Sequence, residues 1–266
     1  MNTAIDLKPL RRAFVVASSV AIGAVYLLVM TFAWGANQSV PHVEAFTSVK
    51  VVGPINVRIQ QGDEQSVAII GRGPVIDIES VDGTLYIESD DQDDLAKDDL
   101  AKIVVEVTVA SVDELVVEGA ADVSISGFSG DTIFVEARNL GTGIGQIEAN
   151  KIRFNHLLVS GSGRINFDLH GRATHQDVSI LGEGRYLADG LLSQTSVVDV
   201  ADSGQVSLWT EKLLDLNAAD SAQVFYRGTP WINKHVSGNA HLVPRYTAPS
   251  HSIWQKNPYG HYRASL

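Results

Sequence analysis

The chain has 266 residues, a net charge of −11 and no cysteine. The charge argues against nucleic acid as a partner, because phosphate contacts need a basic patch. The absence of cysteine excludes disulfides and thiolate metal sites. Aromatic residues make up only 7% of the chain and glycine occurs 23 times, which favours many short strands and tight turns over a helical core.

The first 36 residues have the composition of a membrane anchor. Residues 1–12 form a basic n-region with Lys8, Arg11 and Arg12, and residues 13–36 are uncharged and mostly apolar. About 20 helical residues cross the ~30 Å hydrocarbon layer, so this run predicts one N-terminal transmembrane helix. The basic residues keep their end in the cytoplasm, which places the remaining chain outside the inner membrane. The alternative is a cleaved signal peptide, with secretion after a cut near Gly35.

Residues 43–90 follow as short strands. Alternating apolar residues at 55–59, 67–70, 75–78 and 85–87 are separated by Gly, Pro and Asp turns, a pattern typical of hairpins and meanders. Residues 88–102 interrupt this pattern with a tandem acidic repeat at 93–97 and 98–102. Their spacing does not match a calcium-binding loop, so we interpret them as a solvated insertion with Asp-to-Lys pairs.

The second half contains an internal repeat. A small residue, always Gly or Ala, recurs at positions 121, 145, 163, 184, 204, 222 and 240, at spacings of 24, 18, 21, 20, 18 and 18 residues. A period near 20 residues predicts stacked repeats that share one core, and therefore a β-solenoid. Gly at this corner permits φ > 0 and close approach of the next turn. A β-sandwich also has many short strands, but it needs no such register.

Two columns flank the small residue in every repeat. One residue past it the chain is polar, and two residues past it the chain is apolar, at Val123, Ile147, Ile165, Tyr186, Val206, Val224 and Leu242. A polar stripe along a solenoid suits an extended ligand such as a glycan or a peptide, although an ordinary solvated strand face has the same pattern. The candidate ligand stripe is Asp122, Gln146, Arg164, Arg185, Gln205, Gln223 and His241.

A second candidate is a ladder of carboxylates. Asp202 and Asp220 occupy the same corner position in consecutive repeats, and Glu183 is offset by one position. Carboxylates stacked ~4.8 Å apart raise one another's pKa or recruit a cation. With Arg164 and Arg185 beside them, they would suit a glycan-active lyase or hydrolase. The alternative is that these Asp side chains accept hydrogen bonds from turn amides.

No catalytic motif appears in the sequence. Ser162 lies in a Gly-Ser-Gly corner that lacks the context of a nucleophile elbow, and the pair His170 and His175 has weak spacing for a metal. We therefore expect no enzyme activity, no metal site and no cofactor.

Several segments resemble the family of putative auto-transporter adhesins with a head GIN domain. The resemblance covers about residues 44–244 and lies in these motifs: Phe46-x-x-Val49-x-Val51-x-Gly53, Val57-x-Ile59-x-Gln61-Gly62, Val81-Asp82-Gly83-x-Leu85-x-Ile87, the later Gly-Ser-Gly corners, and Val224-Phe225-Tyr226-Arg227-Gly228-x-Pro230 leading to Val236-Ser237-Gly238. It implies a bacterial, exported, right-handed parallel β-helix and little about function. The acidic insertion and the corner Asp residues depart from the pattern.

The sequence thus predicts an anchored, exported β-solenoid over residues 43–244, attached to the membrane through residues 13–36. Its expected role is non-enzymatic, as a binding or scaffold module of the bacterial envelope with a protein or glycan partner. A homo-oligomeric assembly would also suit it. Residues 245–266 leave the repeat, and we expect a tail that covers the solenoid end, contacts a neighbouring subunit or is disordered.

Overall fold

Stacked strands, most of them parallel, build the protein. The computed structural model describes residues 38–39, 43–71, 75–89, 103–245, 254–256 and 262–264, all within the unit from Gly35 to Leu266. The predicted anchor, 13–36, lies outside the described residues, as does most of the acidic insertion. Within the described part of the chain, no helix is long and apolar enough to cross a membrane.

The strands differ in length along the chain. The N-terminal part contains β1 (Gln38–Ser39), β2 (Ser48–Val52), β3 (Asn56–Gln61), β4 (Ser66–Ile70), β5 (Ile76–Val81), β6 (Thr84–Ser89) and β7 (Val104–Val109). The body contains β8 (Glu114–Glu118), β9 (Asp122–Ser126), β10 (Ser129–Asn139), β11 (Gly145–Gly163), β12 (Ile165–Leu181), β13 (Arg185–Val200), β14 (Gln205–Ala218), β15 (Gln223–Arg227), β16 (Trp231–Val236) and β17 (His241–Pro244). Two short tail strands, β18 (Trp254–Lys256) and β19 (Tyr262–Ala264), pair with each other in antiparallel fashion.

Two parallel ladders run along the body. The first ladder stacks β6, β2, β8 and β10, then the second halves of β11 to β14, and ends at β16. The second ladder stacks β7, β3 and β9, then the first halves of β11 to β14, and ends at β15 and β17. The first half of each long strand lies in the second ladder and its second half lies in the first ladder, so the chain winds through both ladders coil by coil. This winding confirms the predicted β-solenoid and not the sandwich, whereas its hand stays a prediction.

The N-terminal end of the stack is covered by antiparallel strands. Strands β2 and β3 lie inside the stack, with β6 and β7 as the outermost parallel strands. Antiparallel β5 covers β6, β4 covers β7, and β1 pairs with β4. Within the described part of residues 43–90, only β5 and β6 form a hairpin, whereas β2 and β3 belong to the parallel stack and β4 pairs with β7. The antiparallel strands protect an edge that would otherwise invite strand addition.

Buried columns of apolar side chains form the core. Along the second ladder, the inward column contains Val123, Ile147, Phe167, Tyr186, Val206 and Val224, all no more than 3% exposed. The sequence analysis placed Ile165 in this column, but the hydrogen-bonded register pairs Ile147 with Phe167 and Gly145 with Ile165. The column was therefore predicted correctly except for this one residue.

The misplacement of Ile165 has a packing cause. Ile165 occupies the position that is small in neighbouring coils, and a Cβ on Gly145 would lie 2.7 Å from its Cδ1 atom. The glycine of the adjacent coil makes room for the larger side chain. Alignment by residue type therefore paired Gly163 with Gly184. In the structure the neighbour of Gly163 is Gly182, where an added Cβ would lie 3.1 Å from the backbone nitrogen of Gly163.

The corner contains two small positions with different causes. In the hydrogen-bonded register, left-handed backbone occurs two residues before the buried corner position, in Gly119, Gly163, Gly182, Asp202, Asp220 and Gly238. The buried corner position itself, which we expected to need φ > 0, is small for another reason, as in Ala121, Gly184 and Gly204. A Cβ on Gly204 would lie 2.8 Å from Cγ2 of Val200, so this position is small for lack of space.

The C-terminal strands β16 and β17 pair on one side only within the described residues. Lys234 is in register with the inward-facing Leu216 of the preceding coil. Pro244 is in register with Tyr226 of the preceding coil. An inward charge and a proline on an edge strand oppose the addition of further strands. The charged residue and the proline on these edge strands therefore account for the end of the solenoid at this coil.

A polar network in the core joins side chains of three consecutive coils, on β12, β13 and β14. The hydroxyl of Tyr186 donates to Oε1 of Gln176 at 2.7 Å, and Nε2 of Gln176 donates to Ser193 and Ser196 at 2.8 and 2.9 Å. Thr210 bonds both serines. Burial raises the pKa of the Tyr186 hydroxyl, which stays protonated as a donor. Since every member is satisfied, the network fixes the register of these coils.

Candidate functional site

One outward column on the second ladder has the properties of a ligand surface. The register aligns Asp122 with Gln146, then Asn166, Arg185, Gln205, Gln223 and His241. We call these seven residues the polar column. They lie at the start of each strand directly after the corner, so one side chain projects outward from every coil.

The polar column contains six of the seven residues of the predicted stripe. Arg164 is the exception, because the register places Asn166 between Gln146 and Arg185. The Arg164 side chain pairs instead with Glu183, with Nε 3.1 Å from Oε2, and donates from Nη1 to the carbonyl of Thr142 at 3.3 Å. The alignment that placed Arg164 in the column was wrong for the same reason as at Ile165, whereas its role as a candidate ligand residue stays a prediction, since Arg164 lines the depression beside the column.

Two depressions lie along the polar column. The larger, of about 550 Å³, is lined by Asn166, Arg185, Gln205 and Gln223 of the polar column together with Ile144, Arg164, Glu183 and Ser203. The smaller, of about 330 Å³, includes Asp122 and Gln146 of the column together with Arg58 and Glu148. We call the larger depression the polar groove. Its volume lies in the range of small-ligand sites, and its lining is mostly polar.

The side chains at the centre of the polar groove have no protein partners. Within the described residues, Asn166, Arg185, Gln205 and Gln223 form no side-chain hydrogen bond or ion pair. Amides and a guanidinium offer both donors and acceptors, so the groove has unused capacity for a polar ligand. At the other end of the column, burial raises the pKa of the Asp122 carboxyl.

The loop between β10 and β11 adds an apolar wall that the sequence analysis missed. This coil is 24 residues long, from Val123 to Ile147, whereas later coils have 18 to 20 residues. The extra length contains Leu140, 91% exposed, and Ile144, 58% exposed, and Ile144 lines the groove. The irregular spacing in the repeat was the available signal for this wall.

An arginine–aromatic cluster lies near the C-terminal end of the same ladder. Arg227 lies 4.2 Å above the ring of Trp209, and Arg245 lies 4.2 Å above the ring of Phe225. Asp189 accepts from Arg245 at 2.9 Å and from the hydroxyl of Ser207 at 2.7 Å. These contacts join four consecutive coils, so we interpret the cluster as structural support beside the groove.

The two aspartates of the candidate carboxylate ladder accept hydrogen bonds from backbone amides. Oδ2 of Asp202 accepts from the amide of Gly182 at 3.0 Å, and Oδ2 of Asp220 accepts from the amide of Asp202 at 3.3 Å. Both residues adopt left-handed backbone, with φ of 60° and 59°, which Asp tolerates better than most residues. The two carboxylates thus make the contacts of the structural alternative, and Glu183 is held by Arg164.

The histidine and serine candidates lie apart from the polar groove. His170 pairs with Asp168, with Nε2 3.0 Å from Oδ1, and His175 stacks on His156. Ser162 lies in the first ladder, in register with Leu181. Among the described residues, no three histidine or acidic side chains converge on a point that could hold a metal ion.

The comparisons with known proteins agree with this architecture. A family model described as putative auto-transporter adhesin, head GIN domain, matches residues 45–230. A comparison with curated proteins finds no match.

Several solved structures have a similar fold. A putative adhesin from Bacteroides fragilis has a TM-score of 0.65 at 19% identity and covers 78% of this chain and 94% of its own. A putative lipid binding protein from Parabacteroides distasonis has a TM-score of 0.62 at 17% identity, covering 80% and 98%. A putative adhesin from Parabacteroides merdae has a TM-score of 0.54 at 17% identity, covering 79% and 96%. At these identities the likeness establishes the fold.

Proposed function

Because the chain belongs to the family of putative auto-transporter adhesins with a head GIN domain, we propose that it is an exported, non-enzymatic binding module whose polar groove holds an extended glycan. The observation that carries this proposal is the run of unpartnered polar side chains at Asn166, Arg185, Gln205 and Gln223 in four consecutive coils. Sugar hydroxyls both donate and accept hydrogen bonds, as do the amides that line the groove.

The repeat distance of the groove favours a glycan over an extended peptide. Neighbouring coils present equivalent side chains ~4.8 Å apart, whereas an extended peptide presents same-side groups ~6.7 Å apart. A peptide lying along the column therefore loses register within two coils. A polyhydroxylated chain offers groups on every unit and in several directions, so it can follow the column with less strain.

A lipid ligand fits the molecule less well. Buried side chains fill the solenoid interior, where Phe167 and Tyr186 are fully buried between the two ladders. An acyl chain would therefore have to lie on the outer surface, and the polar groove lacks the apolar lining that burying hydrocarbon needs. The enzymatic alternative has no separate support among the described residues, because Asp202 and Asp220 are occupied by backbone amides.

The double variant Arg185→Ala/Gln205→Ala tests the groove. A glycan array with the full chain in mild detergent first selects a ligand, and calorimetry then measures its Kd. Removing one charged and one neutral hydrogen-bonding group at the centre of the groove should raise the Kd by about tenfold to a hundredfold. The matched control is Arg138→Ala/Gln194→Ala, in which Arg138 pairs with Glu136 and Gln194 accepts from Lys212. Equal loss in both variants, or no loss in the first, would contradict the proposal.

Anchoring by residues 13–36 is the second part of the proposed function, supported by their length and lack of charge. We expect the full chain to stay in the membrane pellet after alkaline carbonate extraction, since this treatment strips peripheral proteins from bilayers but leaves spanning helices. A control chain in which a cleavable signal peptide replaces residues 1–36 should be released into the supernatant. Release of the unaltered chain as well would show that this segment does not persist as an anchor.

A further inference from the structure

A short motif, Arg-x-x-His, occurs twice in consecutive coils. It comprises Arg153 and His156 in β11, and Arg172 and His175 in β12. The register pairs Arg153 with Arg172 and His156 with His175. We call these four residues the Arg–His patch. None of them lines the polar groove, so the patch is a separate surface.

The two histidines of the patch are held in a defined arrangement. Their ring centroids lie 5.0 Å apart with an interplanar angle of 20°. Nδ1 of His175 bonds the hydroxyl of Thr195 in the next coil, which orients its ring. The stacked rings therefore present their free nitrogens at the surface in a fixed pair.

The two arginines of the patch lack counter-charges. Within the described residues, neither Arg153 nor Arg172 forms an ion pair or a side-chain hydrogen bond. Four other arginines do pair with carboxylates, namely Arg58, Arg138, Arg164 and Arg245. Like charges directly opposite each other on neighbouring strands destabilise a sheet. In a chain of net charge −11, this exposed cationic pair is free to bind an anion from outside the protein.

One acidic side chain, Asp131, lies beside the patch. Its carboxylate accepts from Asn155 at 2.8 Å and from Thr132 at 3.3 Å, and these hydrogen bonds lower its pKa, with a small contribution from His156. Asp131 is thus oriented by its own neighbours and makes no ion pair with either arginine of the patch. A second carboxylate, Asp177, lies two residues past His175 in β12, and burial together with Asp199 raises its pKa. Neither Asp131 nor Asp177 forms an ion pair with Arg153 or Arg172, so the arginine stack stays uncompensated.

We propose that the Arg–His patch binds an acidic glycan through its sulfo or phospho groups. Arg153 and Arg172 start from neighbouring strands ~4.8 Å apart, so both side chains can reach and donate to one tetrahedral oxyanion, and arginine presents its N–H groups in a fork that suits this geometry. The histidine pair lies three residues further along the chain, past the interruption of the pairing at Asn155 and Thr174. A ligand that uses both pairs therefore carries at least two anionic groups along one chain.

Calorimetry with dextran sulfate tests this surface, with neutral dextran and inorganic sulfate as comparison ligands. The full chain in mild detergent should bind dextran sulfate, should not bind dextran, and should bind inorganic sulfate much more weakly per sulfo group. The double variant Arg153→Gln/Arg172→Gln should weaken dextran sulfate binding at least about tenfold. The control Arg138→Gln removes one exposed, ion-paired arginine and should change the affinity less than about twofold.

Three results would overturn the proposal: no binding of dextran sulfate to the unaltered chain, equal affinity in the Arg153→Gln/Arg172→Gln variant, or equal affinity per sulfo group for inorganic sulfate. The His156→Gln/His175→Gln variant adds a second readout, since it should weaken the polymer while leaving inorganic sulfate unchanged. Because no residue is shared, binding of a neutral glycan in the polar groove should be unaffected by all these variants. Failure of one surface is thus distinguishable from failure of the other.

Discussion

Replacing Gly163 with alanine should destabilise the solenoid by about 4 kcal/mol or prevent folding. Gly163 has φ of 78°, and a Cβ there would lie 2.0 Å from the carbonyl oxygen of Asn139. That oxygen accepts from the amide of Arg164 at 3.0 Å, so it cannot move away without breaking a contact between coils. Urea denaturation of the full chain, followed by circular dichroism, measures the free energy of unfolding.

Gly127 offers a matched control for this experiment. Its φ is 83°, close to that of Gly163, but a Cβ there would meet no atom within 4 Å. Gly127→Ala should therefore show only the cost of left-handed backbone in alanine, about 1 kcal/mol. If both variants lose the same stability, backbone conformation rather than the close approach of neighbouring coils explains the glycine at this corner.

Truncation of Phe167 to alanine should cost about 4 kcal/mol of unfolding free energy. Its side chain is fully buried and its ring lies 6.2 Å from that of Tyr186. Gly161 makes room for it, since a Cβ on Gly161 would lie 2.6 Å from Cε2 of Phe167. The interlocked coils cannot collapse into the cavity, because each strand is hydrogen-bonded on both sides.

The control for this truncation is Phe134→Ala in β10. Phe134 is 48% exposed on the outer face of the first ladder, so its removal should cost less than about 1 kcal/mol. The same urea denaturation experiment compares the two variants. A loss at Phe134 as large as that at Phe167 would mean that the outer face is covered in the folded protein.

Most of the architecture could be predicted because a solenoid repeats its physical requirements. Small residues at 121, 145, 184, 204, 222 and 240 and apolar residues two positions later recur in every coil except that of Ile165, since each coil must fit the same neighbours. Alternation also predicted the N-terminal strands, but the hairpin pattern that it indicated is present among the described residues only at β5 and β6. Their role as a cover on β6 and β7 depends on long-range pairing that local alternation does not encode.

The candidate site was predicted less completely. Asn166 was missed because the Gly-Ser-Gly corner suggests an alignment two residues away from the hydrogen-bonded one. The Arg-x-x-His motif was visible as a repeat of residue types, but its lack of counter-charges appears only when the neighbouring carboxylates are located. Likewise, the sequence placed Asp202 and Asp220 at equivalent corner positions, but their hydrogen-bond donors belong to the adjacent coils and could not be identified from it.

The sequence by itself determined the repeat, the alternation of inward and outward side chains, and the likeness to the head GIN domain family. These features follow from local spacing, since the side-chain period of a strand is two and the coil length is set by the corners. Only the tertiary structure decided the register between coils, the partners of each charge and the filled interior. Register is a contact between residues about 20 positions apart, and a change of two residues preserves the in–out alternation, so the local pattern is equally compatible with both alignments.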